Sequence, residues 1–328
     1  LKHLLLIRFS ALGDILMTIP VIEALSRQNP DLQITIVSRP FVGSVFALLP
    51  SNVHFIGINP REYKGIYGLW RMFLELRKLH PTHIADLHDV LRTKILRCFF
   101  TLWNYPVSHI IKDRKARKSF LNSQVKIQQE TSFERYKKAI NKLGFEFELK
   151  PQPLQLFECR TKSYVRRIGI APFAAHTGKI YPLKQMEKVV SILSSKDIEV
   201  YLFGAGVEEK AKMEAWAAKY PHVHSVVGTL GNMAAELQLM STLDAVLTMD
   251  SGNMHLAALT STPVFSIWGA THPLGGFLAW NCNKDHVIQR EDLRCRPCSI
   301  FGNKPCKFGD YRCLKGISPD EITNKILG

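Results

Sequence analysis

The sequence predicts an α/β protein of two Rossmann-like, doubly wound domains facing a central cleft, and three observations predict it. The chain has 328 residues, more than one hydrophobic core commonly serves. Short apolar runs alternate with amphipathic helical patterns through both halves, as parallel β-α-β architecture requires. A polar, proline-containing stretch, 150–167, separates the two series. The expected domains are therefore 1–157 and 158–328.

In the first series, His3–Phe9 reads as a strand, Asp14–Gln28 as a helix, and Gln33–Ser38 and Val53–Ile58 as the next strands. Gly68–Leu79 carries apolar residues at helical spacing, and His83–Leu87 follows as a strand. In the second, strands are expected at Arg167–Ala171, Glu199–Phe203, His224–Val227, Ala245–Thr248 and Val264–Ile267. Helices at about 183–195, 208–219, 233–242 and 253–260 lie between them. Ser318-Pro319-Asp320-Glu321 spells a capping box with proline at the first helical position, so a last helix begins there. In such sheets ligands bind outside the carboxyl ends of the strands, which directs attention to the loops that follow them.

Charge narrows the partners. The 43 Lys and Arg against 28 Asp and Glu leave +15, a field that attracts phosphorylated molecules, anionic lipid or nucleic acid. Lys112, Arg114, Lys115, Arg117 and Lys118 form one dense basic cluster, read either as part of that field or as a solvated loop or helix start. A nucleic-acid binder requires a cationic stripe with aromatic platforms or a known module. Neither is found, and no nucleic acid is expected. No apolar run reaches the roughly 18–20 residues that span a bilayer. The opening apolar run has Arg8 and Asp14 close by and reads as a strand rather than a signal peptide. A cytoplasmic location is the simplest expectation. Two segments, 69–74 and 95–103, interleave aromatics with cations, as interfacial helices do; core-facing helices give the same pattern.

Of seven cysteines, Cys98, Cys159 and Cys282 are isolated, which suits reduced thiols. Cys295, Cys298, Cys306 and Cys313 fall within 19 residues. They fit a structural zinc site, packed thiols or disulfides, and the second pair lacks the short spacing of a zinc knuckle.

The most telling loop is Asp250-Ser251-Gly252, which ends a buried strand and at once begins a helix. Free N–H groups and the helix dipole favour an anion there, and Gly252 permits close approach. His255 shares the face of Ser251 and Gly252 and is read as a diphosphate donor or as a packed core histidine. A second loop, 171–182, places Lys179 between a strand and a helix as a point charge for phosphate or as a surface lysine. Both loops in one α/β unit point to a nucleotide diphosphate. Gly204-Ala205-Gly206 is followed by Glu208 and lacks the third glycine of a dinucleotide fingerprint; Glu208 is read as a ribose acceptor or as a dipole-complementing carboxylate. In the first half Ser10 and Gly13 lead to Asp14 at a helix start, where it could serve as a general base or as a cap.

Taken together, the motifs resemble those of glycosyltransferase family 9, the ADP-heptose:lipopolysaccharide heptosyltransferases and their relatives. Arg8-x-Ser10-x-x-Gly13-Asp14, Asp86-Leu87 with Arg92-Thr93, and Lys179-x-Tyr181-Pro182 stand in the family's order. Asp250-Ser251-Gly252-x-x-His255-Leu256, Gly269-Ala270-Thr271-His272-Pro273 and the late cysteines follow. The resemblance implies a GT-B fold and inverting transfer from a nucleotide sugar that requires no cofactor or metal ion for catalysis. It implies Asp14 as general base, with Ser10, Gly13 and Arg92 towards the acceptor. Lys179, Ser251, Gly252 and His255 would hold the diphosphate, with Asp250 facing the donor sugar or ordering its loop, and Glu208 at the ribose. The implied partners are an ADP-linked donor and an anionic lipid-linked glycan at the inner face of the cytoplasmic membrane. Ala174 and Ala175 replace hydroxyl residues of some relatives, Tyr181 the usual tryptophan, and His88-Asp89 the usual Gln-Gly. A GT-B enzyme of other chemistry, such as a nucleotide-sugar epimerase, is the alternative; it predicts turnover of the donor alone.

Overall fold

The computed structural model describes residues 2–154, 156–157 and 164–328. Cys159 and the expected start of the second domain lie outside the described residues. The chain forms two compact units. One comprises 1–113, 130–151 and 232–234, the other 114–129, 152–231 and 235–328. The chain thus passes between units at Pro151–Gln152, and the basic cluster from Arg114 onward belongs to the second unit.

The first unit holds five parallel strands: β1 (His3–Ile7), β2 (Gln33–Ser38), β3 (Val53–Gly57), β4 (His83–Asp86) and β5 (Val107–His109), in the order β3-β2-β1-β4-β5. Every residue of β1 is buried. This is why it reads as a continuous apolar run rather than an alternation: helices cover both faces of a parallel sheet. The expected helix at 14–28 starts earlier and is interrupted, as Leu12–Leu16 and Thr18–Gln28. Pro20 has no N–H to give the Leu16 carbonyl, so the hydrogen-bond ladder lapses there.

The second unit holds six parallel strands: β6 (Arg167–Ala171), β7 (Glu199–Leu202), β8 (Val223–Ser225), β9 (Ala245–Met249), β10 (Val264–Trp268) and β11 (Val287–Gln289), in the order β11-β10-β9-β6-β7-β8. Numbered within the unit, this is the dinucleotide-fold order 3-2-1-4-5-6. Its core joins Ile168, Ile170, Leu247, Met249 and Ile267 from the sheet to Met186, Val189, Leu193 and Trp216 from the helices. Leu314, Ile317, Ile322 and Ile326 of the C-terminal segment pack on the same cluster. The last helix, Pro319–Leu327, starts where its sequence predicts, with Ser318 Oγ accepting from the Glu321 N–H at 3.1 Å.

Each sheet reverses its strand order once, between β1 and β4 in the first unit and between β6 and β9 in the second. At such a switch point the following loops diverge to opposite faces and leave a crevice. The Ser10–Asp14, Asp86-Leu87, Lys179 and Asp250-Ser251-Gly252 motifs each follow one of these four strands, whereas the Gly204-Ala205-Gly206 loop with Glu208 follows β7 and the Gly269–Pro273 turn follows β10. Among the described residues no helix is long and apolar enough to cross a membrane.

Candidate functional sites of the two units

In the first unit, Arg8 leaves the end of β1 and is almost wholly buried; its Nη2 lies 2.6 Å from Asp14 Oδ2. Its Nη1 donates to the Leu87 carbonyl beyond β4, tying the two switch-point loops together. Asp14 sits in the first turn of Leu12–Leu16, where its Oδ2 also accepts the Ala11 N–H at 3.3 Å. The Tyr136 hydroxyl donates to the Asp14 carbonyl at 3.1 Å. The carboxylate is therefore oriented from two sides yet keeps a quarter of its side-chain surface exposed. Gly13 lies inside that helical turn. Ser10 Oγ meets His88 Nε2 at 3.0 Å. Arg92, expected to face an acceptor, donates to the Pro60 carbonyl.

His88, at the Gln-Gly position, is the residue whose part sequence reasoning missed. Burial, then the charges of Arg8, Lys112 and Arg39, against the opposing pull of Asp14, push its pKa down to about 3. It is a neutral imidazole in a cationic crevice, with its Nδ1 buried and unpartnered among the described residues. Burial likewise lowers the pKa of Lys112, whose Nζ donates to the Asp89 carbonyl at 2.9 Å. Asp86, buried at the end of β4, accepts the His88 and Asp89 N–H groups at 2.9 Å each and so shapes the loop.

In the second unit the loops after β6, β9 and β10 converge. Lys179 Nζ lies 2.8 Å from Asp250 Oδ2, and the Thr271 hydroxyl donates to the same oxygen at 2.7 Å. The Ala270 N–H closes the arrangement on the Gly178 carbonyl at 2.8 Å. Gly178 has no alternative here: a Cβ would stand 2.8 Å from the Ala270 Cβ and 3.1 Å from the Gly302 carbonyl oxygen. Gly302, at φ +73°, leaves the space in which the Lys179 stem lies. Of the two roles open to Asp250, the geometry displays loop ordering. Ser251 precedes the short helix Gly252–Ala257, and its hydroxyl oxygen is buried without a hydrogen-bond partner among the described residues. A buried unpaired hydroxyl is unfavourable, and here it stands beside free N–H groups at the end of β9. His255 is buried on the same helix. Glu208 is exposed, whereas its neighbour Glu209 accepts the Ala205 N–H at 2.8 Å. Glu209 is thus the carboxylate that orders the glycine loop. Tyr181 is wholly buried and donates to the Ile317 carbonyl at 2.7 Å, so it anchors the loop to the C-terminal segment.

Arg296, also missed, is buried and donates to the carbonyls of Trp268, Gly269 and Thr271 at 3.1, 2.8 and 2.9 Å. It fixes the turn that presents Thr271 to Asp250. Its neighbour in space, His272, accepts the Leu274 N–H on Nδ1 at 3.2 Å. Burial first, then Arg296 and Lys126, depress its pKa to about 4. His272 lines a cavity of about 1010 Å³ that none of Lys179, Asp250 and Ser251 reaches, and of its six lining cations Lys126, Arg290, Arg296 and Lys325 donate to backbone carbonyls.

With both folded pKa values below that of free histidine, the unfolded chain binds the two protons first as pH falls. Stability is thus complete above about pH 6.5 and is lost towards pH 3–4, at up to about 1.4 kcal/mol per pH unit per histidine. His272→Asn keeps the turn acceptor and removes one titration. Urea unfolding between pH 6.5 and 4.5 is expected to show a pH slope shallower by up to that amount in the variant. An unchanged slope would mean that His272 titrates normally.

Among the described residues no three His, Cys, Asp or Glu side chains are grouped to hold a metal ion, and the six described cysteines are free. The thiols turn to different partners: Cys298 Sγ towards the Cys295 carbonyl at 3.3 Å, Cys306 Sγ towards Asp310 Oδ1 at 3.8 Å. Cys313 is buried in the core, where burial pushes its pKa up to about 11.

Known proteins share the sequence pattern and the fold of this chain. Residues 88–309 fit the model of glycosyltransferase family 9 (heptosyltransferase). The chain is 23% identical over 326 residues to lipooligosaccharide heptosyltransferase 2 of Campylobacter jejuni, covering 96% of this chain and 95% of that one. Its fold is shared with the E. coli ADP-heptose lipopolysaccharide heptosyltransferase II, at a TM-score of 0.73 and 16% identity over 100% and 98% of the two chains. E. coli heptosyltransferase WaaC, solved with ADP, gives a TM-score of 0.66 at 14% identity over 88% and 92%.

Proposed function

Because the chain belongs to glycosyltransferase family 9 and is a GT-B glycosyltransferase, we propose that it moves heptose from an ADP-linked donor to a lipopolysaccharide core or related surface glycan. In this reading the second unit binds the donor and the first the acceptor. The observation that carries it is the Lys179–Asp250–Thr271 arrangement beside the unpaired Ser251 hydroxyl, at the switch point of a dinucleotide-type sheet. A diphosphate there would take charge from Lys179 and hydrogen bonds from Ser251, the Gly252 region and His255. Glu208, exposed at its helix start, is free to meet a ribose.

The reaction is a single displacement with inversion. Asp14 removes the proton of the acceptor hydroxyl while that oxygen bonds to the anomeric carbon, and the diphosphate leaves with the electron pair of the broken C–O bond. Arg8 and the Ala11 N–H hold Asp14 in place. Fixed donors around the departing diphosphate supply the electrostatic help that a metal ion supplies elsewhere. Arg8, Arg39 and Lys112 around His88 favour an anionic acceptor, in line with a lipid-linked, phosphorylated glycan at the inner face of the cytoplasmic membrane.

Calorimetry with ADP, UDP and GDP tests the donor site, on the parent and on His255→Ala. ADP is expected to bind selectively and the variant to bind it more weakly. Preference for another nucleotide would remove heptose as the donor, and no binding at low salt would remove the site. Transfer assayed in EDTA is expected to run at the parent rate; a loss restored by a divalent cation would overturn the metal-independent mechanism.

A further inference from the structure

We propose that helices Gly65–Arg77 and Leu91–Leu102 of the first unit present a face that docks on an anionic lipid bilayer. Both are ordinary core helices on their inner side, where Leu69, Met72, Phe73 and Leu76 of one and Leu96 and Phe100 of the other are buried. Their outer sides are unusual. On the first helix Tyr67, Arg71, Leu74 and Lys78 recur at spacings of four, three and four residues, which places them in one stripe. On the second, Leu91, Lys94, Cys98 and Leu102 do the same. All eight are exposed, Tyr67 by 77% and Leu102 by 73%. A soluble surface helix carries polar residues there; the first stripe alternates large apolar groups with cations, and the second sets Leu91 and Leu102 on either side of Lys94 and Cys98.

The two helices are locked side by side by an aromatic seam. The Trp70 ring lies 5.0 Å from that of Trp103 and 5.2 Å from that of Phe99, and Trp103 at the seam's end remains 42% exposed. Apolar side chains that reach outward, tryptophan at the margin and cations between them are what an interfacial surface uses. Charge selects the occupant. From 65 to 78 and from 91 to 103 there are six Arg and Lys and a single carboxylate, Glu75. A protein surface of ordinary composition gains little from such a face. An anionic headgroup layer attracts the net positive charge that remains once Arg71, Lys94 and Arg97 face Glu75, Asp89 and Asp86, and it accepts the leucines and tyrosine below it. The proposal rests on the lipid-linked acceptor in the reading above, since docking would bring the first unit to the layer in which that acceptor is anchored.

Vesicle co-sedimentation tests it, using phosphatidylcholine vesicles with and without 30% phosphatidylglycerol, on the parent and on Leu74→Glu/Leu102→Glu. Both leucines are exposed and touch no proposed site residue, so folding is expected to be unchanged. The parent should bind the anionic vesicles in a salt-sensitive manner, and the variant roughly 10- to 100-fold more weakly. ADP binding and transfer to a soluble, delipidated acceptor should be equal in the two. Equal vesicle binding by parent and variant would overturn the proposal. So would a parent that ignores vesicles but forms a dimer which the variant loses, because the occupant would then be a second copy. Vesicle binding lost in the variant, with no ADP bound by either protein, would keep the surface and remove the donor reading instead.

Discussion

Asp14→Asn is expected to lower kcat by about 10²–10⁴, the usual contribution of a positioned general base, while ADP affinity stays within about twofold of the parent. Asparagine preserves the side-chain oxygen that accepts the Ala11 N–H at 3.3 Å, so the first turn of Leu12–Leu16 keeps its cap. What it removes is the negative charge and the ability to take a proton. The substitution thereby separates the two roles that the sequence leaves open for this residue. If Asp14 only caps the helix and neutralises Arg8, whose Nη2 lies 2.6 Å away, the variant loses some stability and hardly any rate. A kcat loss below about tenfold, with a lowered unfolding midpoint, would return Asp14 to that structural role. Arg8 itself sharpens the comparison. It is nearly buried and also donates to the Leu87 carbonyl, so it stays in place when its partner becomes neutral. The imidazole of His88 then faces a stronger uncompensated positive field from Arg8, Lys112 and Arg39.

The fold was legible because its signals are local. β1, β9 and β10 are buried along their whole length, and a strand with no solvent side shows itself as an unbroken apolar run. β5 and β11 were missed because each is three residues long and lies at a sheet edge, where one partner strand suffices and no apolar run is needed. The site was legible where residues adjacent in sequence share one loop, as Asp250, Ser251 and Gly252 do. It was not where partners meet across the fold. The hydroxyl of Thr271 reaches Asp250 from the loop after a different strand. Arg296 serves three carbonyls far upstream, hidden in the sequence between Cys295 and Pro297. The cysteines that drew attention to that segment turn to separate acceptors, whereas the arginine among them builds the turn.

The Lys179–Asp250 pair yields the second large effect. Asp250 is almost fully buried and the Lys179 side chain is 16% exposed, so removing one partner leaves a charge that neither water nor protein compensates well. Asp250→Asn is expected to destabilise the second unit by about 3 kcal/mol, the low end for a broken buried pair because Lys179 keeps some solvent. Thr271, whose hydroxyl donates to Asp250 at 2.7 Å, can still donate to the asparagine oxygen, which limits collapse of the loop. The uncompensated ammonium of Lys179 then lacks only an anion. If the site binds a diphosphate, ADP supplies one, and its binding energy is added to stability by mass action. The ADP-induced rise in Tm should therefore be larger in Asp250→Asn than in the parent. Lys179→Met should behave in the opposite way: loss of a charge-assisted contact of roughly 1.5–3 kcal/mol weakens ADP about 10- to 100-fold, and the nucleotide no longer rescues the protein. Thermal denaturation of the two variants with and without ADP distinguishes a ligand-binding lysine from one that serves the loop alone. In the second case both lose stability and ADP shifts both as it shifts the parent, since a lysine committed to Asp250 has nothing to offer a phosphate.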